Sequence, residues 1–179
     1  MAATTTDDST SSSSTSSFEK RLTLVNGTQE SVQTLSLWIL YHRSQHEHLI
    51  KSWFKVLKKS KPLHRLTLFY VANDVIQNAK KQNALVYHQA FKPYLNSAMN
   101  YVKENGIKKK IQRILEIWRE RGVYDEDFVG ELLKKLLGTE VYEKDKEVTR
   151  VIAEYQVGKS FICHGKESLF SSRNRYVNR

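Results

Sequence analysis

Residues 69–81 of the chain read FYVANDVIQNAKK, a stretch in which an apolar helical pattern carries many polar side chains. At about 100° per residue, its large apolar residues and alanines share one broad arc, which predicts a helix buried along that arc. Its polar residues fall together on the opposite arc: Tyr70, Asn73, Asp74, Gln77 and Asn78. We call these five residues the polar stripe.

The composition of the polar stripe differs from that of an ordinary solvated helix face. Solvated faces mostly use Lys, Glu, Arg and Gln, whereas Asn and Asp compete for backbone hydrogen bonds and weaken helix interiors. The stripe holds two Asn and one Asp, so it lowers helix propensity. Two interpretations stay open on composition alone: an exposed or internally hydrogen-bonded face, or a groove that hydrogen-bonds an extended peptide.

The rest of the chain shows the same helical periodicity and limits the class of protein. The 179 residues suit one domain with tails, and the apolar spacing from Phe18 to about Gly138 predicts an all-α domain. The start lacks the pattern of a secretory signal, and the lone Cys163 allows no internal disulfide, so the cytosol or nucleus is expected. No apolar run approaches the roughly 20 residues of a membrane helix.

Helix stoppers and caps divide this domain into helices joined by short connections. The predicted helices span 18–25, 29–43, 46–59, 62–81, 83–103, 107–121, 126–137 and 143–157. Short connections predict antiparallel packing of consecutive helices in a solenoid or superhelix. Residues 1–17, rich in Ser and Thr, are predicted to be a disordered tail, residues 138–158 a C-terminal helix or linker, and residues 159–179 a basic, poorly ordered tail.

A second informative helix, IKKKIQRILEIWRERGVY at residues 107–124, divides its charges by side. Lys110, Arg113 and Arg121 are predicted to form a purely basic flank, with the acidic residues nearer the outside. Such a flank is either a solvated edge or an anion site, because Arg offers paired donors to a phosphate. The net charge of +10 favours polyanionic partners such as nucleic acid, acidic lipid or a phosphorylated chain.

Three segments of the chain together resemble the CTD-interacting domain of the RPRD group, the proteins named for regulation of nuclear pre-mRNA. The segments are QESVQTLSLWILYHR at 29–43, LTLFYVANDVIQNAKK at 66–81 and KKKIQRILEIWRERGVY at 108–124. The resemblance covers residues 18–137. It implies a right-handed superhelix of about eight helices that reads the repeated heptad tail of RNA polymerase II.

The resemblance also implies which residues hold the peptide and its phosphate. The peptide-binding positions are Gln29, Tyr70, Asn73, Asp74 and Asn78. Phosphate on the second-position serine of the heptad would meet Arg113, with Arg121 and Lys110 as further basic positions.

The implied function is that of a non-catalytic reader of the phosphorylated polymerase tail, acting in transcription, its termination and pre-mRNA processing in the nucleus. Phosphatase or mRNA-processing factors are the further partners that the resemblance implies. It implies neither cofactor nor membrane, and recognition does not require direct contact with nucleic acid. Dimerisation is not predicted, because the coiled coil of RPRD relatives is replaced here by an unrelated basic segment.

The strongest alternative is a trafficking adaptor of the VHS or ENTH class, since these domains share the helical superhelix and bind membrane phospholipids or sorting signals. Direct RNA binding is a second alternative, motivated by the net charge, although no RNP-like aromatic motif or GXXG loop is visible. Catalysis is disfavoured because the chain lacks a phosphate-cradling glycine loop and a nucleophile motif.

Two groups of residues that resemble site motifs are assigned to structural roles. His42, His46 and His48 straddle a helix junction without a nearby cysteine, so no metal site is predicted. Three tryptophans sit at helical spacing among Leu and Ile and are predicted to be core residues: Trp38, Trp53 and Trp118.

Overall fold

The computed structural model describes residues 9–79 and 81–154, with side chains from Ser17 onward. Its helices are α1 Ser9–Leu24, α2 Gln29–Tyr41, α3 His46–Lys59, α4 Pro62–Ala79, α5 Val86–Ala98, α6 Asn105–Glu120, α7 Glu126–Leu137 and α8 139–154. Short 3-10 turns occupy Arg43–Gln45 and Met99–Tyr101. The described residues contain no strand, so the all-α prediction is confirmed.

The chain divides into two compact units between Leu137 and Gly138. The first unit contains α1 to α7, and the second contains α8. Within the first unit, the most extensive packing joins alternate helices, α2 with α4, α3 with α5 and α1 with α3, and it joins α6 with both α7 and α4. Stacking of this kind builds the all-α superhelix that the resemblance implied.

Helix α4 supplies the centre of the core. Its apolar arc, predicted from spacing, is buried in full, and residues such as Phe69, Val75 and Ile76 have no exposed surface. Trp53 and Trp118 are buried as predicted, with indole nitrogens that donate to acceptors inside the protein. Trp38 departs from the prediction: it is half-buried, stacked between Phe18 and His42.

Several predicted helix boundaries are wrong. Helix α1 begins at Ser9 rather than near Phe18, because a helix nucleated by the buried Phe18 and Leu22 extends towards its N-terminus. Residues 83–103 do not form one helix: Asn83 has a positive φ of 51° and ends the preceding turn, so α5 starts only at Val86.

At the other end of that segment, α5 tightens into the 3-10 turn Met99–Tyr101, where Arg65 captures the Tyr101 carbonyl. Helix α8 begins at residue 139, directly after Gly138, whose φ of 93° suits glycine. The predicted basic tail, residues 159–179, and residues 1–8 lie outside the described residues.

None of the described helices has both the length and the apolar character that a membrane span requires.

Candidate peptide groove

The polar stripe lies on α4 between two neighbouring helices. On one side, the Ser36 hydroxyl of α2 approaches the Val71 carbonyl at 3.4 Å, and on the other, the Trp118 indole of α6 bonds to Asn73 at 2.8 Å. Positions two residues apart differ by about 200° around a helix, so α2 and α6 flank the stripe on opposite sides. All five stripe residues are half-buried. The stripe is therefore the floor of a groove between α2 and α6.

A chain of side-chain hydrogen bonds links one wall of this groove to its floor. The Oδ1 atom of Asn73 accepts from Trp118 Nε1 at 2.8 Å and from Gln77 Nε2 at 2.6 Å. The Oε1 atom of Gln77 in turn accepts from Arg121 Nη1 at 2.7 Å. These bonds satisfy a buried indole N–H and hold the end of α6 against α4. The side-chain oxygen of Asn73 is thus occupied by hydrogen bonds within the protein.

Other stripe residues keep polar groups for a ligand. Among the residues that the structure describes, neither the Asp74 carboxylate nor the Tyr70 hydroxyl has a hydrogen-bond or ion-pair partner. Asn78 donates from Nδ2 to the backbone carbonyl of Asp74 at 3.0 Å, which leaves its side-chain oxygen as an acceptor. Half-buried polar groups without protein partners favour the groove interpretation for these three residues.

The predicted basic flank of α6 is not purely basic. The Arg113 guanidinium lies 2.8 Å from the Glu120 carboxylate and 3.6 Å from that of Glu116. Residues seven apart lie two turns apart on nearly the same side of a helix, and this brings Glu120 to Arg113. Its hydrogen bond to Glu120 raises the pKa of Arg113, and Glu116 contributes to the same shift. A phosphate that reaches Arg113 must therefore compete with two carboxylates.

The structure brings Arg121 to the stripe and leaves Lys110 at a distance from it. Arg121 is the C-cap of α6, where Gly122, with a φ of 59°, lets the chain turn away. Its guanidinium reaches Gln77, in the middle of the stripe. Lys110 is exposed and precedes Arg121 by three turns of helix, about 16 Å along the axis at 1.5 Å per residue. Lys110 is therefore remote from the end of the stripe that Arg121 contacts.

Gln29 lies at one end of the groove. It is the exposed first residue of α2, directly after Thr28, whose side chain accepts from the Ser31 amide at 3.3 Å. The neighbouring Gly27 packs near Thr67, one turn before Tyr70 on α4. Gly27 lies near Thr67 and Ser36 lies near Val71, so α2 and α4 run in the same direction, which places Gln29 near the Tyr70 end of the stripe.

One cleft of ≈ 540 Å³ lies nearby on α1 and α2, lined by residues that include Arg21, Thr28 and Trp38, and no stripe residue lines it.

Two residues of the groove, Gln77 and Trp118, are not among the site residues predicted from the sequence. Gln77 connects Asn73 to Arg121, and Trp118 supplies the indole donor that fixes Asn73. A signal for both is present in the sequence, since a core tryptophan needs an acceptor for its N–H and Gln77 follows Asn73 by one helical turn.

The histidines predicted to be structural take part in local bonds. His42 Nδ1 lies 2.7 Å from the Trp38 carbonyl, and His46 Nδ1 lies 3.0 Å from that of Arg43. Within the described part of the chain, no group of three His, Cys, Asp or Glu side chains is arranged as a metal site.

Comparison with known proteins assigns the family. The family model of the CID domain matches residues 16–132, which is most of the first unit. The chain belongs to the CID domain family. Two of the solved structures to which this CID is similar show the same fold: the CID of Ctk3, with a TM-score of 0.64 and 14% identity, and the CTD-interacting domain of Seb1 from S. pombe, with a TM-score of 0.55 and 14% identity. The alignments cover 74% of this chain and 96% of the Ctk3 domain, and 68% of this chain and 94% of the Seb1 domain.

Curated relatives agree with the RPRD resemblance. This CID is 40% identical over 122 residues to mouse "Regulation of nuclear pre-mRNA domain-containing protein 2", a match covering 68% of the chain and 8% of that protein. It is 38% identical over 126 residues to human "Regulation of nuclear pre-mRNA domain-containing protein 1A", covering 69% of the chain and 40% of that protein. The chain therefore spans less than half the length of these relatives. These matches do not favour the trafficking-adaptor alternative.

Proposed function

We propose that this CID is a non-catalytic reader of the heptad-repeat tail of RNA polymerase II, with preference for a phosphate on the second-position serine of the heptad. Its place of action is the nucleus, in transcription and pre-mRNA processing, alongside phosphatase or mRNA-processing factors. Membership of the CID family and similarity to proteins named for regulation of nuclear pre-mRNA support this proposal. One observation carries it: the groove offers unpartnered polar groups of Tyr70 and Asp74 within the described structure.

In this proposal the heptad lies extended along the groove between α2 and α6. The Asp74 carboxylate accepts a hydrogen bond from the tyrosine hydroxyl of the heptad, because a hydrogen bond to an ionised carboxylate is stronger than one between neutral groups. The free oxygen of Asn78 accepts from the peptide backbone, and Asn73 shapes the floor through its bond to Trp118. Gln29 borders the peptide at the Tyr70 end.

The phosphate is received at the α6 side of the groove. Arg121 already reaches the stripe through Gln77, and Arg113 meets the phosphate by exchanging Glu120 for it. Both partners of the Arg113–Glu120 pair are more than half exposed, at 58% and 55%, and exposed ion pairs are weak. A phosphate dianion, which carries more charge and more acceptors than a carboxylate, displaces Glu120 readily. Lys110 adds to the positive field.

Titration calorimetry with heptad peptides tests the proposal. Two-repeat peptides, unmodified and phosphorylated on the second serine, are titrated into wild type and into Arg121→Ala, Arg113→Ala and Asp74→Asn. Arg119→Ala is the matched control, because Arg119 lies on the same helix and pairs with Glu126 instead. We expect micromolar affinity for the phosphopeptide, since an extended ligand loses conformational entropy on binding.

The arginine variants should each lose about tenfold or more in phosphopeptide affinity and little for the unmodified peptide, since a charge-assisted hydrogen bond is removed. Asp74→Asn should weaken both peptides, and Arg119→Ala neither. Equal affinity of all proteins for both peptides would exclude the phosphate assignment.

A further inference from the structure

Several chain segments meet at the end of the first unit where α3 ends and α4 and α6 begin. The guanidinium of Arg65 donates to the carbonyls of Leu57 at 3.2 Å and Lys58 at 3.4 Å, in the last turn of α3. It also donates to the Tyr101 carbonyl at 2.7 Å and to the Glu104 carboxylate at 2.6 Å. Arg65 therefore holds the end of α3, the start of α4, the 3-10 turn and the cap of α6 together.

These joined segments carry a dense group of lysines, which we call the basic end: Lys58, Lys59, Lys61, Lys103, Lys108 and Lys109. Within the described residues, none of the six forms an ion pair. The one carboxylate on the same segments, Glu104, is already bound to Arg65. The positive charge of the basic end is thus not compensated by the protein.

The lysines at the start of α6 do not stabilise the helix that carries them. Helix α6 has no acidic residue in its first turn, and Lys108 and Lys109 follow directly, where the helix dipole makes cations unfavourable. At the end of α3, Lys58 places its ammonium over the ring of Phe54 at 5.0 Å. Lys58 and Lys59 lie in the last turn of α3, where the dipole favours cations, so only the lysines of α6 cost stability; together with the missing counter-charges, these lysines favour a polyanionic ligand.

Half-buried aromatic rings lie beside these cations. The Phe54 ring is 5.6 Å from the Tyr94 ring and 6.0 Å from the Tyr101 ring, and all three residues are partly exposed. Among the described residues, the hydroxyls of Tyr94 and Tyr101 have no hydrogen-bond partner. Cations that track a phosphate backbone, together with accessible aromatic rings for bases, are the chemistry of single-strand binding.

We propose that the basic end binds single-stranded RNA, with its lysines on the phosphates and Tyr94 against the bases. A membrane surface fits less well, because Leu63 is the one large apolar side chain of this end that is strongly exposed, at 72%. Single exposed leucines are ordinary on protein surfaces. The proposal does not depend on peptide binding in the groove.

The basic end adjoins the groove along α6. Lys108 and Lys109 lie at the start of α6, whereas Trp118 and Arg121 lie at its end. Lys109 precedes Trp118 by nine residues and Arg121 by twelve, about 14 Å and about 18 Å along the helix axis at 1.5 Å per residue. Lys110 and Arg113, which are assigned to the phosphate of the peptide, follow Lys109 by one and four residues, so an RNA strand on the basic end would border the peptide site.

Fluorescence anisotropy with the full chain and a labelled uridine-rich RNA of about 12 nucleotides tests this proposal. The patch variant carries Lys58→Gln, Lys61→Gln, Lys103→Gln and Lys109→Gln. The control variant carries the same number of changes at exposed lysines elsewhere and has the same net charge: Lys20→Gln, Lys51→Gln, Lys144→Gln and Lys146→Gln. Circular dichroism melts verify that each protein is folded.

The patch variant should bind RNA more than tenfold more weakly than the control variant. The slope of log affinity against log salt should fall by about 0.7 for each phosphate that a lysine no longer neutralises. Tyr94→Leu should weaken binding by about fivefold or more with an unchanged slope, because stacking is not a counterion effect.

Further experiments distinguish RNA binding by the basic end from binding by residues 159–179, by net charge alone or by a lipid surface. A full chain in which the five Lys and Arg residues of 159–179 are replaced by Gln should keep its sensitivity to the patch substitutions. Equal weakening in patch and control variants would show that net charge alone binds RNA, and would overturn the proposal. Patch-dependent binding to phosphatidylserine vesicles, with RNA binding unaffected by the patch substitutions, would overturn it as well.

Discussion

The hydrogen bond between Asn73 and Trp118 predicts that Asn73 contributes to the stability of the fold, whereas Asn78 contributes mainly to peptide binding. Asn73→Ala removes the acceptor of two side-chain donors: Trp118 Nε1 at 2.8 Å and Gln77 Nε2 at 2.6 Å. Gln77 is half-buried and turns to water, but Trp118 has no exposed surface, so its N–H is left without an acceptor. An unsatisfied buried donor costs about 1 to 3 kcal/mol, which is the expected decrease in free energy of unfolding.

Asn78→Ala is the matched control for this prediction. Asn78 lies on the same helix and is also half-buried, but its side chain bonds only to a backbone carbonyl one turn away. We expect a decrease below about 1 kcal/mol for Asn78→Ala, together with weaker peptide binding. Guanidinium denaturation followed by circular dichroism measures both free energies of unfolding.

A double-mutant cycle attributes the effect to the indole. The Trp118→Phe background has no indole N–H that could lose its acceptor. Asn73→Ala should therefore lower the free energy of unfolding clearly less in that background than in wild type. If Asn73→Ala proves as stable as Asn78→Ala, or if its cost is unchanged in Trp118→Phe, the account of the groove wall is wrong.

Three further predictions concern other contacts. Glu120→Gln should raise phosphopeptide affinity by about two- to fivefold and leave the unmodified peptide unaffected, because Arg113 no longer has to exchange an exposed ion pair; unchanged phosphopeptide titrations would contradict this. Tyr87→Phe should lower the free energy of unfolding by about 1 kcal/mol, since the buried Tyr87 hydroxyl donates to the Ile39 carbonyl at 2.6 Å; an unchanged denaturation midpoint would count against it. The hydrogen bond from the Phe128 amide of α7 lowers the pKa of Asp125 from 3.8. The Asp125 carboxylate therefore stabilises the fold above pH 3.8, and this contribution is lost as the pH falls further. Asp125→Ala should flatten this part of the acid-denaturation profile, and a profile identical to that of wild type would refute the assignment.

Periodicity is sufficient to predict the architecture and the position of the stripe. The buried arc of α4 and the polar arc opposite follow from rotation per residue alone, which is a local property of the helix. The same rotation places Glu120 beside Arg113. The prediction of a purely basic flank is wrong because it assigned residues to a side of the helix by angle alone, whereas long side chains reach residues on the neighbouring side.

Contacts between helices could not be predicted from the sequence in the same way. The bonds from Trp118 to Asn73 and from Arg121 to Gln77 join residues 45 and 44 positions apart, and they depend on how α6 docks against α4. Likewise, the basic end combines segments that are distant in the chain and that Arg65 links by hydrogen bonds. Periodicity assigns a face to each helix, but tertiary packing decides which faces meet.

Chemical-shift mapping of the ¹⁵N-labelled chain with the phosphorylated two-repeat peptide tests the central claim most directly. We predict that the indole N–H signal of Trp118 and the side-chain amide signals of Asn73 and Asn78 shift on titration. The indole signal of Trp53, which is bonded to the Leu68 carbonyl at 2.9 Å within the core, should stay in place. Shifts confined to other surfaces, with the Trp118 and Asn78 signals unmoved at saturation, would contradict the assignment of the groove.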